Sequence, residues 1–221
     1  MLDAIGAVLP FGLAVALSSI PIMATTVILL SPNRDRTTVP FVAGWLIGIF
    51  LMALAFTAGF SALPRETNPA RETVLGWTGV LLGVALLVLA GYVWRRASRS
   101  RQRSTPKWLE AVGRLGPVAA FGLALGLNVR PKAVLISAAV GLAIHTTDAD
   151  TSGALVALAV YTAIGASAVL APVVFTYTSP DRSERMLLST RAWLAANSAV
   201  VTVTVVAMTG VLVLGNGLGR L

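Results

Sequence analysis

The apolar and polar positions divide this chain into six long apolar segments separated by short polar turns. Each segment is long enough for a helix to cross the hydrocarbon core of a bilayer, which takes about 20 residues. The pattern therefore predicts an all-α, polytopic integral membrane protein with six transmembrane helices. The segments cover about residues 5–30, 39–62, 73–94, 117–144, 152–177 and 193–214.

Composition agrees with that class. Hydrophobic residues make up 56% of the chain and charged residues 12%, whereas a soluble domain has about 25% charged residues. There is no cysteine, so disulfides and thiolate metal sites are excluded.

Only Asp3 is charged ahead of the first segment, which is thus expected to be a span rather than a signal peptide. The stretch Ser179–Arg191 is expected to be a polar connection and the end of the chain a glycine-rich tail.

The distribution of Lys and Arg predicts the orientation. Of the 17 such residues, twelve lie in the connections after the first, third and fifth segments and three on the opposite side. Basic loops stay in the cytoplasm, so both termini are expected outside a plasma membrane and the loop 95–116 inside. Trp108–Leu115 in that loop could form an interfacial helix.

A short internal repeat divides the chain into halves. Phe11–Pro21 matches Phe121–Pro131 at a constant offset of 110, with six of eleven positions identical. The predicted units are 1–94 and 117–221. Because each holds three spans, an odd number, the two would be inverted repeats, as in many secondary transporters. The alternative is that two spans of similar composition agree by chance.

The matched prolines predict helices 1 and 4 to be broken or kinked at Pro21 and Pro131. Proline lacks an N–H and suits the first position of a new half-helix. Polar residues beside these prolines could satisfy the backbone groups that a break frees. Those candidates are Ser18, Ser19 and Asn128.

Two cations are predicted deep in the membrane. Arg130 lies thirteen residues after Pro117, roughly 20 Å along a helix, within a hydrocarbon core about 30 Å thick. No Asp or Glu lies in a predicted span, so Arg130 and Lys132 favour an anion-binding site. In a continuous helix they would point about 200° apart, and a break would relax that constraint. Alternatively they are structural, snorkelling or bound to backbone carbonyls.

Other classes of protein find little support. There is no Gly-x-Ser-x-Gly motif, one histidine and no carboxylate pair within a span, so we expect no enzyme, no metal site and no cofactor. The basic loop lacks a base-reading element, and nucleic acid is not an expected partner.

The stretch Asn128-Val-Arg-Pro-Lys132 resembles the Asn-Pro-Lys signature of the lysine-exporter (LysE) superfamily, with two residues inserted. Within it the chain is most similar to the GAP/Sap family, small six-span actinobacterial proteins that address glycopeptidolipids or sulfolipids to the cell surface. The resemblance implies a small transporter that exports or flips an anionic or glycosylated cell-envelope lipid from the cytoplasmic leaflet outward. The substrate contacts would be Arg130, Lys132, Asn128, Ser18 and Ser19.

Two alternatives remain at this stage. One is a LysE-like exporter of amino acids or other small solutes, and the other is a non-transporting scaffold that assists a larger lipid-export machine. A lateral opening between helices would favour lipid transport, and a closed polar vestibule would favour solute export. A solid bundle with Arg130 bound to carbonyls would favour the scaffold. Expected partners are membrane lipids, a lipid or small-molecule substrate, and a second copy or a larger export machine.

Overall fold

A computed structural model describes residues 1–62, 69–99, 112–147 and 149–221. Within these ranges the chain is helical and contains no strand. The prediction of an all-α protein is confirmed at this level. Eight helices are described: α1 (Leu2–Ala16), α2 (Ser19–Leu29), α3 (Arg34–Ser61), α4 (Pro69–Arg99), α5 (Pro117–Leu127), α6 (Pro131–His145), α7 (Thr151–Thr178) and α8 (Pro180–Leu218).

Four of these helices, α3, α4, α7 and α8, are long and apolar enough to cross a membrane. The other four form two bent pairs, with an angle of 52° between α1 and α2 and of 63° between α5 and α6. Each pair is long enough for one crossing when taken together. The described residues thus provide four spans, or six if each bent pair is one span.

Both breaks lie at the matched prolines. Helix α2 begins at Ser19 and has Pro21 in its first turn, and α6 begins with Pro131 itself. The first N–H groups of a helix have no partner within it, so a proline there removes no hydrogen bond. Where the sequence left open a break or a kink, the helix is interrupted at both places.

The packing contacts are reciprocal between the two halves. Helix α1 packs along α7, and α5 packs along α3. In the same way α2 contacts α8 while α6 contacts α4, and α4 lies against α8 over much of its length. Each bent pair is therefore held by helices of the other half of the chain.

Two stretches of the second half are helical, which the sequence pattern did not indicate. The polar stretch Ser179–Arg191 precedes the apolar span Ala196–Leu218, but both belong to one helix, because α8 begins at Pro180 and runs without interruption into the span. The glycine-rich tail is helical up to Leu218. A Cβ on Gly217 would come within 2.6 Å of the backbone nitrogen of Val80, so glycine lets α8 lie directly against α4. The first half of the expected interfacial helix Trp108–Leu115, residues 108–111, lies outside the described residues.

Candidate functional site

The two breaks border one cavity of about 220 Å³, which we call the central cavity. Its wall combines the start of α2, the break between α5 and α6, the first turns of α6, and one or two residues from each of the other helices. The polar and aromatic residues of this wall are Ser18, Trp45, Asn128, Arg130, Lys132, Ser137, Tyr161 and Thr202. The structure thus brings Ser18 of the first break to the cations of the second.

Arg130 is the residue immediately before α6, with an extended backbone (φ −72°, ψ 150°). Its Nε donates a hydrogen bond of 2.9 Å to the carbonyl oxygen of Leu127. In a continuous helix that oxygen would accept from the N–H of residue 131, and Pro131 has none. The Arg130 side chain therefore supplies the donor that the proline removes.

Asn128 also satisfies a backbone group at the C-terminal end of α5. Its backbone N–H bonds to Leu125 O at 3.0 Å instead of continuing the α-helical pattern. The side-chain Nδ2 donates to Ala124 O at 3.0 Å and so satisfies the carbonyl left free. Gly48 of α3 makes room for this amide, since a Cβ there would collide with Nδ2. Asn128 borders the cavity, but its amide nitrogen is engaged with the backbone.

Lys132, the second residue of α6, differs from both. Its Nζ is buried and has no hydrogen-bond partner among the described residues. It lines the same cavity as Arg130, because Arg130 lies outside the helix and is not bound by helical spacing. No carboxylate lines the cavity in the part of the chain that the structure describes. The cavity is therefore strongly electropositive.

The two serines of the first break have different positions. Ser18 precedes α2 and faces the cavity, but its side chain makes no capping hydrogen bond. Ser19 is buried outside the cavity wall, and its hydroxyl has no partner within the described ranges. Neither hydroxyl satisfies the backbone freed at that break.

Trp45 is a cavity residue that the sequence did not indicate. It is 2% exposed, and its Nε1 donor is buried without a partner among the described residues. It stands between Gly44 and Gly48, where a Cβ on Gly44 would come within 2.6 Å of Phe121 O. No local pattern marks this tryptophan as a cavity donor, because its Nε1 is left unpaired only once the neighbouring helices are packed. Tyr161, also in the wall, is fully buried and lies near the hydroxyl of Ser137, another wall residue.

The chemistry of the central cavity is that of hydrogen-bond donors. The Lys132 ammonium, the Arg130 guanidinium and the Trp45 indole N–H line it, and the N-terminus of α6 lies beside it. Such a set matches an oxyanion. Among the described residues no cluster of three His, Cys, Asp or Glu could hold a metal ion.

Comparison with protein families gives a match over nearly the whole chain. The family model described as Sap, sulfolipid-1-addressing protein, matches residues 8–219. Neither the curated proteins nor the solved structures give a match. The match includes both breaks, the central cavity and all four long helices, and the chain belongs to the Sap (sulfolipid-1-addressing protein) family.

Proposed function

We propose that this protein transports an anionic or glycosylated cell-envelope lipid from the cytoplasmic leaflet outward, with the lipid headgroup in the central cavity. The observation that carries the proposal is the buried Lys132 Nζ, which has no partner among the described residues. An ammonium buried without a partner is unfavourable by several kcal/mol or changes its protonation. A negatively charged headgroup would offset that cost.

The rest of the cavity supports the same ligand. Arg130 uses only Nε for the Leu127 carbonyl, and a guanidinium has four further N–H donors. Trp45 adds an uncharged donor that is also unpaired among the described residues. The positive ends of the α2 and α6 dipoles favour an anion between them. A volume of about 220 Å³ is below the roughly 300–1,000 Å³ of drug-sized sites, so it suits a headgroup whose acyl chains stay in the bilayer.

We further propose that each bent pair is one crossing, which gives six spans arranged as two inverted repeats. The reciprocal contacts support this, because each half-helix that precedes a break packs on the first long helix of the opposite half, α1 on α7 and α5 on α3. The matched prolines support it as well. The bias of Lys and Arg favours cytoplasmic basic loops and outside termini in the plasma membrane.

One observation favours a second candidate, the non-transporting scaffold. The bond from Arg130 to Leu127 O is structural, and Asn128 likewise holds the helix end. That role explains both residues without a ligand. It does not explain Lys132, whose Nζ bonds to no described backbone or side-chain atom. A LysE-like solute exporter would use the same cations but would not distinguish acylated from free substrates.

The proposal is tested in proteoliposomes that carry a fluorescently labelled sulfated glycolipid, with its unsulfated form as the comparison. A membrane-impermeant quencher reports how fast the label changes leaflet. We expect the wild type to move the sulfated lipid, and Lys132→Met and Arg130→Ala to lose this activity by about 10-fold or more. The matched control is Arg36→Ala, an exposed cation outside the cavity, which should transport normally.

Two results would count against the proposal. No movement of lipid by the wild type, in liposomes that also contain the native polar lipids, would favour solute export or the scaffold. Transport that is equal in wild type and in both cavity variants would retain a transporter and remove the central cavity as its site.

A further inference from the structure

A second cavity, of about 840 Å³, lies at one end of the bundle and is called here the end cavity. It is bordered by the beginning of α1 and α4 and by the end of α6 and α8. The charged side chains in its described wall are Glu72 of α4 and Arg220, just after α8. Asn216 and Thr146 add neutral polar groups, and Phe11 and Leu75 form part of the apolar wall. Nothing in the proposed central site uses these residues.

The end cavity follows the central cavity along the same four elements. On α6, Ile136 borders the central cavity and Ala139 the end cavity, a separation of three residues, about 4.5 Å along and about 60° around the helix. On α1, Val15 borders the central cavity and Phe11 the end cavity, a separation of about 6 Å. On α4 and α8 the walls are further apart, about 15 Å from Leu89 to Gly79 and about 17 Å from Thr202 to Val213. The two cavities are therefore nearest to each other along α1 and α6.

Arg220 and Glu72 form an ion pair within this wall. Arg220 Nη1 donates to Glu72 Oε2 at 3.0 Å, and the two side chains are 31% and 47% exposed. Ion pairs this exposed contribute little stability, since water screens them. Another oxyanion that offers the same acceptor geometry could therefore replace the carboxylate on the guanidinium.

We propose that the end cavity is a second binding site for an oxyanion headgroup, a sulfate or phosphate ester, in which Arg220 binds the anion and Glu72 competes with it. The inference rests on the proposed transport function and adds a second headgroup-binding site to the transport path. When no ligand is bound, the Glu72 carboxylate forms an ion pair with the Arg220 guanidinium. An arriving headgroup displaces the carboxylate, and the return of Glu72 to Arg220 favours release.

The test uses the full chain in nanodiscs of zwitterionic phosphatidylcholine, titrated by calorimetry with octyl glucoside 6-sulfate. Octyl glucoside is the uncharged comparison, and inorganic sulfate is the comparison without an alkyl chain. The variants are made in an Arg130→Ala, Lys132→Met background, which lacks the cations of the central cavity. We expect this background to keep one binding site for the sulfated probe and none for octyl glucoside. Inorganic sulfate binding as tightly as the probe would instead indicate a site for free anions.

Glu72→Gln and Arg220→Gln decide between a ligand site and a structural ion pair. Both break the same pair, so a purely structural role predicts the same direction of change for both. Our proposal predicts opposite directions. Glu72→Gln should tighten binding of the probe by about 3-fold, Arg220→Gln should weaken it by about 10-fold, and Arg220→Lys should recover part of the loss.

Equal changes in the two glutamine variants, no change in either, or a background that binds no probe would each overturn the end-cavity site. These outcomes differ from a failure of the proposed function, which appears as lipid movement that is absent from the wild type or unaffected by Arg130→Ala. The calorimetric variants already lack the central cations, so their result is independent of the central site. Circular dichroism and gel filtration confirm that each variant is folded.

Discussion

The Nε of Arg130 lies 2.9 Å from the carbonyl oxygen of Leu127 and donates a hydrogen bond to it. This is the oxygen that Pro131 deprives of a backbone donor, since a prolyl nitrogen carries no hydrogen. The cation and the break are thus parts of one arrangement. Proline ends the helix, and the residue before it satisfies the helix end while its guanidinium borders the central cavity.

A double-mutant cycle measures that relationship. Arg130→Met removes the donor and leaves Leu127 O unsatisfied, which should lower the free energy of unfolding by about 1–3 kcal/mol. In a Pro131→Ala background the new N–H can serve the same oxygen, so the cost of Arg130→Met should fall by about 1 kcal/mol. Unfolding in mixed micelles gives the four values. Effects that add within about 0.5 kcal/mol would show that an N–H at position 131 does not replace the Arg130 donor at Leu127 O.

Lys132→Met should separate stability from function. Methionine fills a similar volume without a charge, and the lysine Nζ has no partner to lose among the described residues. We expect the free energy of unfolding to rise by about 1 kcal/mol or more while transport of the sulfated glycolipid falls. Thermal unfolding in detergent and the liposome assay provide the two readouts. Lys132→Arg keeps the charge and serves as the control, and a clear loss of stability in the methionine variant would assign Nζ a structural partner.

The breaks were predictable from the sequence because their causes are local. Each repeat segment carries its own proline, and proline acts on the neighbouring carbonyls whatever the rest of the chain does. The cations were predictable for the same reason, as charges within an apolar stretch. The local sequence pattern did not determine whether the side chains of Arg130 and Lys132 could face one cavity. That depends on the break, which places Arg130 outside the helix.

The role of Trp45 and the length of α8 were not predictable in this way. A buried tryptophan in an apolar segment resembles any core residue, and its unpaired Nε1 is visible only once the neighbouring helices are in place. Likewise the glycine-rich residues after Leu214 carry no local signal for a helix, because glycine is a poor helix former. They are helical because Gly217 packs against the backbone of α4, a contact between residues far apart in sequence.

Trp45→Phe tests the indole as a ligand donor. Phenylalanine keeps an aromatic ring but lacks the N–H, so a buried donor without a partner is removed. We expect thermal stability to stay within about 1 kcal/mol of wild type. In an Arg220→Gln background, which weakens the end-cavity site, affinity for octyl glucoside 6-sulfate in nanodiscs should fall by about 10-fold. Trp77→Phe, on an exposed face of α4, is the matched control. Unchanged affinity would remove Trp45 from the site.

Asp150 caps the N-terminus of α7 and should make stability depend on pH. Hydrogen bonds from the Ser152 hydroxyl and the Gly153 N–H lower the pKa of its carboxyl below the usual aspartate value. The carboxylate therefore stabilises the fold above the unfolded pKa, and this contribution is lost as the pH falls through the lower folded pKa. Asp150→Ala should lower the Tm at pH 7, with a difference that shrinks below about pH 4. Asp150→Asn keeps an acceptor oxygen but has no titrating carboxyl, so the Tm difference between Asp150→Asn and Asp150→Ala should not depend on pH. If the Tm difference between wild type and Asp150→Ala did not depend on pH either, the assignment of the cap would be contradicted.

Gly48→Ala is a substitution in α3 that should disturb the neighbouring break between α5 and α6. A Cβ at this position would collide with the Asn128 amide, which must then rotate away from Ala124 O. The lost hydrogen bond to a buried carbonyl should lower the free energy of unfolding by about 1–3 kcal/mol. Lipid transport should fall with it, because Asn128 ends the helix that leads to both cations.

Gly122→Ala is the matched control, since a Cβ there meets nothing within 4 Å. Alanine is favoured over glycine inside a helix by about 0.5–1 kcal/mol, so this variant should be slightly more stable and should transport normally. The two substitutions add the same methyl group to helical glycines, and only one of them reaches Asn128. If both variants unfolded and transported alike, the contact between Gly48 and Asn128 would have no part in holding the break.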